Sequence, residues 1–289
     1  MSAIQVGAIT DEFSPDIRVA AEAMQGLGLK GAELRVINGR NIMDLSDAEL
    51  DAALEVVRNA GLQVVSIASP ILKCTLPDAP DVDPRFQQDI FASKHTFEDQ
   101  PRLAQRAFEI AKRSGAKIVR VFSYWRVLDP PAVFERVVDA LQELADRAAE
   151  HDLIIGLENE GACNIATAQE TARVLAAIDH DNLKVVWDPA NAYLAGEEPF
   201  PRGYDLLDSR RIAHVHAKDC KVEDHKPVWG PLGKQDVDWV GQIAALKEDG
   251  YNGYINLETH WQGPDGNKLE GSSICGRNLK KLVASLPVE

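Results

Sequence analysis

The sequence predicts an α/β fold, a single-domain (β/α)8 TIM barrel, on three observations: short β-branched runs alternate with helical patterns from end to end, the runs number eight, and no compositional break divides them. The runs are IQVGAIT (4–10), GAELRV (31–36), LQVVSIA (62–68), AKIVRVF (116–122), LIIGLE (153–158), LKVVWD (183–188), IAHVHA (212–217) and YINLE (254–258). Strands separated by helices pair in parallel through crossover connections. Eight such units favour closure of residues 1–289 into one barrel, with a doubly wound open sheet as the alternative.

Between the runs the apolar residues shift to a helical period. Ile17, Ala20, Ala21, Met24 and Leu27 form one stripe, and Phe134, Val137, Val138, Leu141, Leu144 and Ala145 another, each covering one face against a sheet. Ser14-Pro15 reads as a cap before a first-turn proline, while Ser46-x-x-Glu49 and Thr167-x-x-Glu170 are capping boxes. Gly28, Gly61, Gly115 and Gly250 fall where helices should stop and strands resume. The long segment 69–100, with Pro70, Pro77, Pro80 and Pro84, follows the third strand. A loop of that length inside a compact domain is usually functional, so it is expected either to cover the barrel mouth or to form a surface insertion.

Composition narrows the function classes. Of the 289 residues, 45% are apolar and 26% charged, an ordinary globular balance. Cys74, Cys163, Cys220 and Cys275 lack CxxC spacing, which points to reduced thiols rather than a disulfide framework or a structural zinc site. The formal charge of −14, with no Lys/Arg run, would repel a phosphate backbone, so no nucleic-acid partner is expected. The opening MSAIQVGAITDEFS has no basic flank and carries Asp11 and Glu12, so it reads as a buried strand rather than a signal peptide. No apolar run reaches membrane-spanning length, and a cytoplasmic protein acting on a small polyol or keto compound is the expectation.

In such a barrel the C-terminal ends of all strands open onto one face. The last four runs end in Glu158, Asp188, His216 and Glu258. Hydrophilic residues closing four consecutive apolar strands are costly to bury without a partner, and a cation supplies one. Three carboxylates and an imidazole suit Mn²⁺ first, with Mg²⁺, Co²⁺ or Zn²⁺ as alternatives, since no thiolate selects a softer metal. His214 shares a face with His216 but lies roughly 6.6 Å away along the strand, so both should not reach one ion and His214 is expected either to stand behind as a hydrogen bonder or to be a core histidine with no chemical role. The same reasoning ranks Glu258 ahead of His260 and Glu158 ahead of Glu160, leaving Glu160 and His260 to face substrate.

Other candidates carry open alternatives. Glu33 and Arg35 share one strand face, and an inward ion pair is preferred over substrate binding. Lys73 could hold a hydroxyl or phosphate, or be a solvated loop lysine. Lys218 could meet an oxyanion, or pair with Asp219 or Glu223. Asn191 is a candidate for the substrate or a metal-bound water, and Trp125, Trp229 and Trp261 for stacking on a sugar ring, with loop packing as the plainer reading of the tryptophans. No Ser/His/Asp triad, phosphate-binding glycine loop or nucleotide fingerprint stands out.

The runs LENEG, WDPANAY, HVHAKD and GYNGYINLETHW, with the earlier GAITDEFS and GAELR, resemble the xylose isomerase-like barrel superfamily of sugar phosphate isomerases/epimerases across essentially the whole chain. That resemblance implies that Glu158, Asp188, His216 and Glu258 are metal ligands and that Glu158 and Glu258 carry protons on opposite sides of the bound carbon. It also raises homo-oligomer formation as an expectation. Members include ketose 3-epimerases, isomerases, inosose and 3-dehydroshikimate dehydratases, lyases acting on oxidised glycosides, and AP endonucleases. Two positions depart from the ketose 3-epimerase pattern: Asn191 stands in place of a histidine and Val222 in place of an arginine. The AP endonucleases need a three-zinc cluster with extra histidines, and Asn191 again stands where one would be. The expected activity is metal-dependent isomerisation or epimerisation of a keto sugar or polyol, by deprotonation next to a carbonyl through an enediolate. The alternative is a dehydratase or lyase acting on a keto-cyclitol or 3-keto-glycoside, with Glu160, Lys73 or His260 as its added acid. A nuclease, or a barrel that only binds carbohydrate, is the third reading.

Overall fold

Eight β-branched runs do become eight parallel strands. The structure, a computed structural model, describes residues 4–86 and 94–285. Its strands are β1 (Gln5–Ile9), β2 (Gly31–Leu34), β3 (Gln63–Ile71), β4 (Ile118–Val121), β5 (Ile154–Glu158), β6 (Leu183–Trp187), β7 (Ile212–Ala217) and β8 (Tyr254–Leu257). They pair in the order β1-β8-β7-β6-β5-β4-β3-β2 and close on themselves, so the sheet has no edge and the open doubly wound alternative is set aside. Around it lie α1 (Ile17–Gly26), α2 (Asp47–Asn59), α3 (Gln100–Ser114), α4 (Phe134–Ala149), α5 (Ala168–Ala177), α6 (Pro189–Leu194), α7 (Trp239–Glu248) and α8 (Lys268–Ser285).

The stripes bury as their period requires. Ile17, Ala20, Ala21 and Met24 of α1, and Val137, Leu141, Leu144 and Ala145 of α4, all lie in the core. Ser46 and Thr167 form the reciprocal capping boxes with Glu49 and Glu170. At the start of α1 the cap is Asp16, not Ser14. The Asp16 side chain accepts from Arg18 N at 2.8 Å, and Ser14 Oγ serves the turn before it, accepting from Asp16 N. Gly115 follows α3 at φ +81°, a left-handed stop that a side chain would resist.

Two details depart from the sequence reading. The second strand ends at Leu34, and Val36–Ile37 turns back to pair with Arg40–Asn41 in a small hairpin. A second hairpin, Cys220–Glu223 with Lys226–Trp229, rises after β7 through Asp224 and His225, both at positive φ. Segment 69–100 gives its first residues to β3, and its residues 87–93 lie outside the described ones. Before that gap, Asp83 N donates to Arg126 O and Val82 bridges Val127, which ties the segment to the loop after β4.

The interior of the barrel holds several charged and polar side chains. Glu33, Arg120, Glu158, His214, His216 and Asn256 are all buried to within 2%. Gly7 makes room for them: a Cβ there would strike Asn256 Oδ1 and come within 2.5 Å of Gly31 O, so only glycine lets β1 run between β8 and β2.

Candidate metal centre and active site

Barrel closure brings four strand tips to one point. Glu158 ends β5, Asp188 follows β6, His216 lies in β7 and Glu258 follows β8. One ligand atom from each lies within 4.8 Å of the others, and all four residues are buried.

Each carboxylate uses one oxygen for support and turns the other inward. Arg120 Nη1 donates to Glu158 Oε2 at 3.0 Å, leaving Oε1 facing His216 Nδ1 at 3.1 Å. Arg35 Nη1 donates to Glu258 Oε1 at 2.8 Å, leaving Oε2 to Lys218 Nζ at 2.6 Å. Asp188 caps α6, its Oδ1 accepting from Asn191 N at 2.9 Å, while its buried Oδ2 has no hydrogen bond, only the Lys218 ammonium 2.8 Å away in a poor direction. An inward set of two glutamate oxygens, one under-used aspartate oxygen and one imidazole nitrogen fits a divalent cation of hard to borderline character.

The electrostatics agree with such crowding. Burial, opposed by Lys218 and reinforced by Glu258 and Glu158, pushes the Asp188 carboxyl up to about 6. Burial acts to raise Glu258 as well, but Lys218, His260 and His216 hold it well below the usual carboxylate range. For His216, burial works against charging, and Glu33 and Glu158 overcome it and raise the imidazole well above its ordinary value.

The remaining candidates divide. Lys218 does not pair with Asp219 or Glu223; it turns into the cluster, because Asp219 is taken up by backbone amides of Gly233, Lys234, Gln235 and Val237 at 2.8–3.2 Å. Glu33 and Arg35 find separate partners: Arg35 binds Asp11, Glu12 and Glu258, whereas Glu33 meets His214, His216 and Asn256. His214 stays out of the four-residue cluster, yet its Nε2 and that of His216 converge on a single Glu33 oxygen. Spacing along a strand does not limit two rings that lean toward each other, and here they meet edge to face at 84°.

Asn191 has its amide engaged with Asn159 O at 2.8 Å, a framework role at the tips of β5 and β6. Lys73 is buried over the Phe122 ring at 4.2 Å and 3.4 Å from Glu160 Oε2, so it is not a solvated loop lysine. His260 lies 3.9 Å from Glu258 Oε1 and packs against Trp229 with centroids 4.5 Å apart. Trp125 is buried and forms a bridge with Cys163.

Two supports escaped the sequence reading. Arg120 sits mid-strand in KIVRVF, a charge in an apolar run that signals a buried partner as clearly as the four tips do. Asn159 clamps the backbone of Asp188, accepting from its N at 2.9 Å and donating to its O at 2.8 Å.

A closed parallel barrel with a carboxylate and histidine cluster at its strand tips defines a (β/α)8 barrel with a candidate metal site. The family model for the xylose isomerase-like TIM barrel matches residues 21–274, and the chain belongs to that family. It is similar to inosose dehydratase of Lacticaseibacillus casei, 28% identical over 47% of this chain and 50% of that protein. It is similar too to D-psicose 3-epimerase of Ruminiclostridium cellulolyticum, 27% identical over 48% of this chain and 47% of that one. The chain thus spans about half the length of the curated relatives it matches. Among solved structures, IolI protein with a bound zinc atom superposes over 100% of both chains with a TM-score of 0.73 at 19% identity, a likeness of fold.

Proposed function

We propose that this chain is a divalent-metal-dependent enzyme that removes a proton from the carbon next to a carbonyl in a sugar or polyol. The observation that carries it is the convergence of Glu158, Asp188, His216 and Glu258 to within 4.8 Å, each carboxylate with one oxygen held from behind. These four residues would hold the cation, which when bound polarises a carbonyl and acidifies the adjacent C–H. Manganese is our first choice of metal, and the zinc in the IolI structure supports a divalent ion.

Glu158 Oε1 and Glu258 Oε2 are the inward carboxylate oxygens, and they are the groups we assign to proton transfer. In isomerisation or epimerisation one takes the proton and the other supplies one. Lys73, Glu160, Lys218 and His260 line the substrate space in this reading, and Asn191 acts behind it by keeping Asp188 in place. Residues 72–86, the described stretch after β3, are what we assign to the mouth, through their tie to the loop after β4.

One observation favours elimination as a second outcome. Lys73 Nζ lies buried 3.4 Å from Glu160 Oε2, and this pair, among the residues we assign to the substrate space, can supply the added acid that loss of a β-hydroxyl requires. Val222 stands exposed on the hairpin after β7 and, as an apolar side chain, offers no substitute for the arginine expected of ketose 3-epimerases. Relatives named as dehydratase and as epimerase support both outcomes.

The test is incubation of metal-loaded protein with ketoses, inososes and 3-keto-glycosides in D₂O. Deuterium in a recovered epimer or isomer supports the first outcome, and an enone of lower mass the second. Absence of any exchange with every substrate, or turnover that exhaustive chelation leaves untouched, overturns the proposal.

A further inference from the structure

Glu33 lies wholly buried on β2, three strands round the barrel from β7. Three donors converge on its Oε2: His214 Nε2 at 2.9 Å, His216 Nε2 at 3.0 Å and Asn256 Nδ2 at 3.0 Å. An ionised carboxylate only accepts hydrogen bonds, so the ring nitrogen facing it carries the proton. In a neutral His216 that leaves Nδ1 with the lone pair. Nδ1 is the nitrogen turned to the cluster, 3.1 Å from Glu158 Oε1 and 3.7 Å from Glu258 Oε2.

We infer that Glu33 is the positioning residue of the centre: it holds His216 in the tautomer that presents Nδ1 to the cation, and His214 and Asn256 hold Glu33 in turn. This inference rests on the metal reading proposed above. It follows the general rule that a metal-bound imidazole is oriented through its other nitrogen, often by a carboxylate. The shared oxygen gives the device its rigidity. Glu33 cannot swing toward His216 or away from it without also breaking its bonds to β7 at His214 and to β8 at Asn256.

The experiment combines Zn²⁺ titration calorimetry of wild type, Glu33→Gln and Glu33→Asp with ¹⁵N correlation spectra of the histidine rings in the Zn²⁺-loaded proteins. In wild type, His216 should show a protonated Nε2 and a metal-shifted Nδ1. Glu33→Gln, whose amide can donate as well as accept, should weaken Zn²⁺ binding by ~10–100-fold and populate the second tautomer. Glu33→Asp, which withdraws the carboxylate by one methylene, should weaken binding in the same direction. A Glu33 that only supported the fold would lower the unfolding midpoint and leave the zinc affinity and tautomer of the folded protein alone. His216 protonated at Nδ1 in loaded wild type, or variants that bind Zn²⁺ within about twofold of wild type, overturns the inference. Should neither variant fold, the wild-type spectrum decides. Failure of wild type to bind Zn²⁺ removes the metal reading itself, whereas wild-type binding with indifferent variants removes only the role of Glu33.

Discussion

The arginine behind Glu158 shows what the buried charges cost and how they are supported. Arg120 and Glu158 are both almost fully buried, and removing one partner of such a pair leaves the other charge without compensation. Arg120→Met should therefore lower unfolding free energy by ~3–5 kcal/mol, read from the urea midpoint. Asp188→Asn keeps the shape and the helix cap but weakens the inward oxygen, so Mn²⁺ affinity in calorimetry should fall at least ~10-fold while the fold survives. The four thiols are all buried, and burial pushes Cys74 and Cys220 up to about 12. Ellman's reagent should accordingly label none of them in native protein and all four after denaturation. The strand-tip residues were readable because each closes an apolar run. The partners of Lys218 and Glu33 were not, since they lie 30 to 40 and more than 180 residues away and only closure sets them side by side.

At the scale of elements, local rules predicted most boundaries and failed where two local signals competed. Ser14-Pro15 and Asp16 both offer a cap; Asp16 won because its side chain reaches the free amide of Arg18. The hairpin after β7 was hidden because CKVEDHKPVW has no Asn-Gly or Asp-Gly signal and uses Asp224-His225 at positive φ instead. Ser46, by contrast, caps α2 through reciprocal bonds with Glu49, so Ser46→Ala should cost ~1 kcal/mol in chemical denaturation. Gly7→Ala tests the barrel ladder itself. Its Cβ would press on the Gly31 backbone, so β1 must separate from a neighbour, and a loss at or above ~1–3 kcal/mol is expected in the same assay.

For the whole molecule, closure of the sheet is the event that creates a site. It gathers three carboxylates, and a chain already at −14 gains nothing from holding them close unless cations stand among them. Lys218, Arg35 and Arg120 provide fixed positive charge, and a bound metal would add more. Ligand that binds only the folded state stabilises it by mass action, ~2.7 kcal/mol at a hundredfold excess over the dissociation constant. Mn²⁺ should therefore raise the melting temperature of chelator-treated protein, and Glu158→Gln should abolish most of that rise. An unchanged melting curve on adding metal would count against the centre. Among the described residues no helix is long and apolar enough to cross a membrane.

Periodicity and residue type were enough to reveal the barrel, its eight strands and the four hydrophilic tips, because parallel strands and amphipathic helices are written in local patterns of a few residues. Which atoms of those tips face one another, which oxygen each carboxylate spends on an arginine, and that two histidines share one glutamate were decided only on closure. Such contacts depend on the angle and stagger of strands far apart in the chain, and no short window of sequence carries that information.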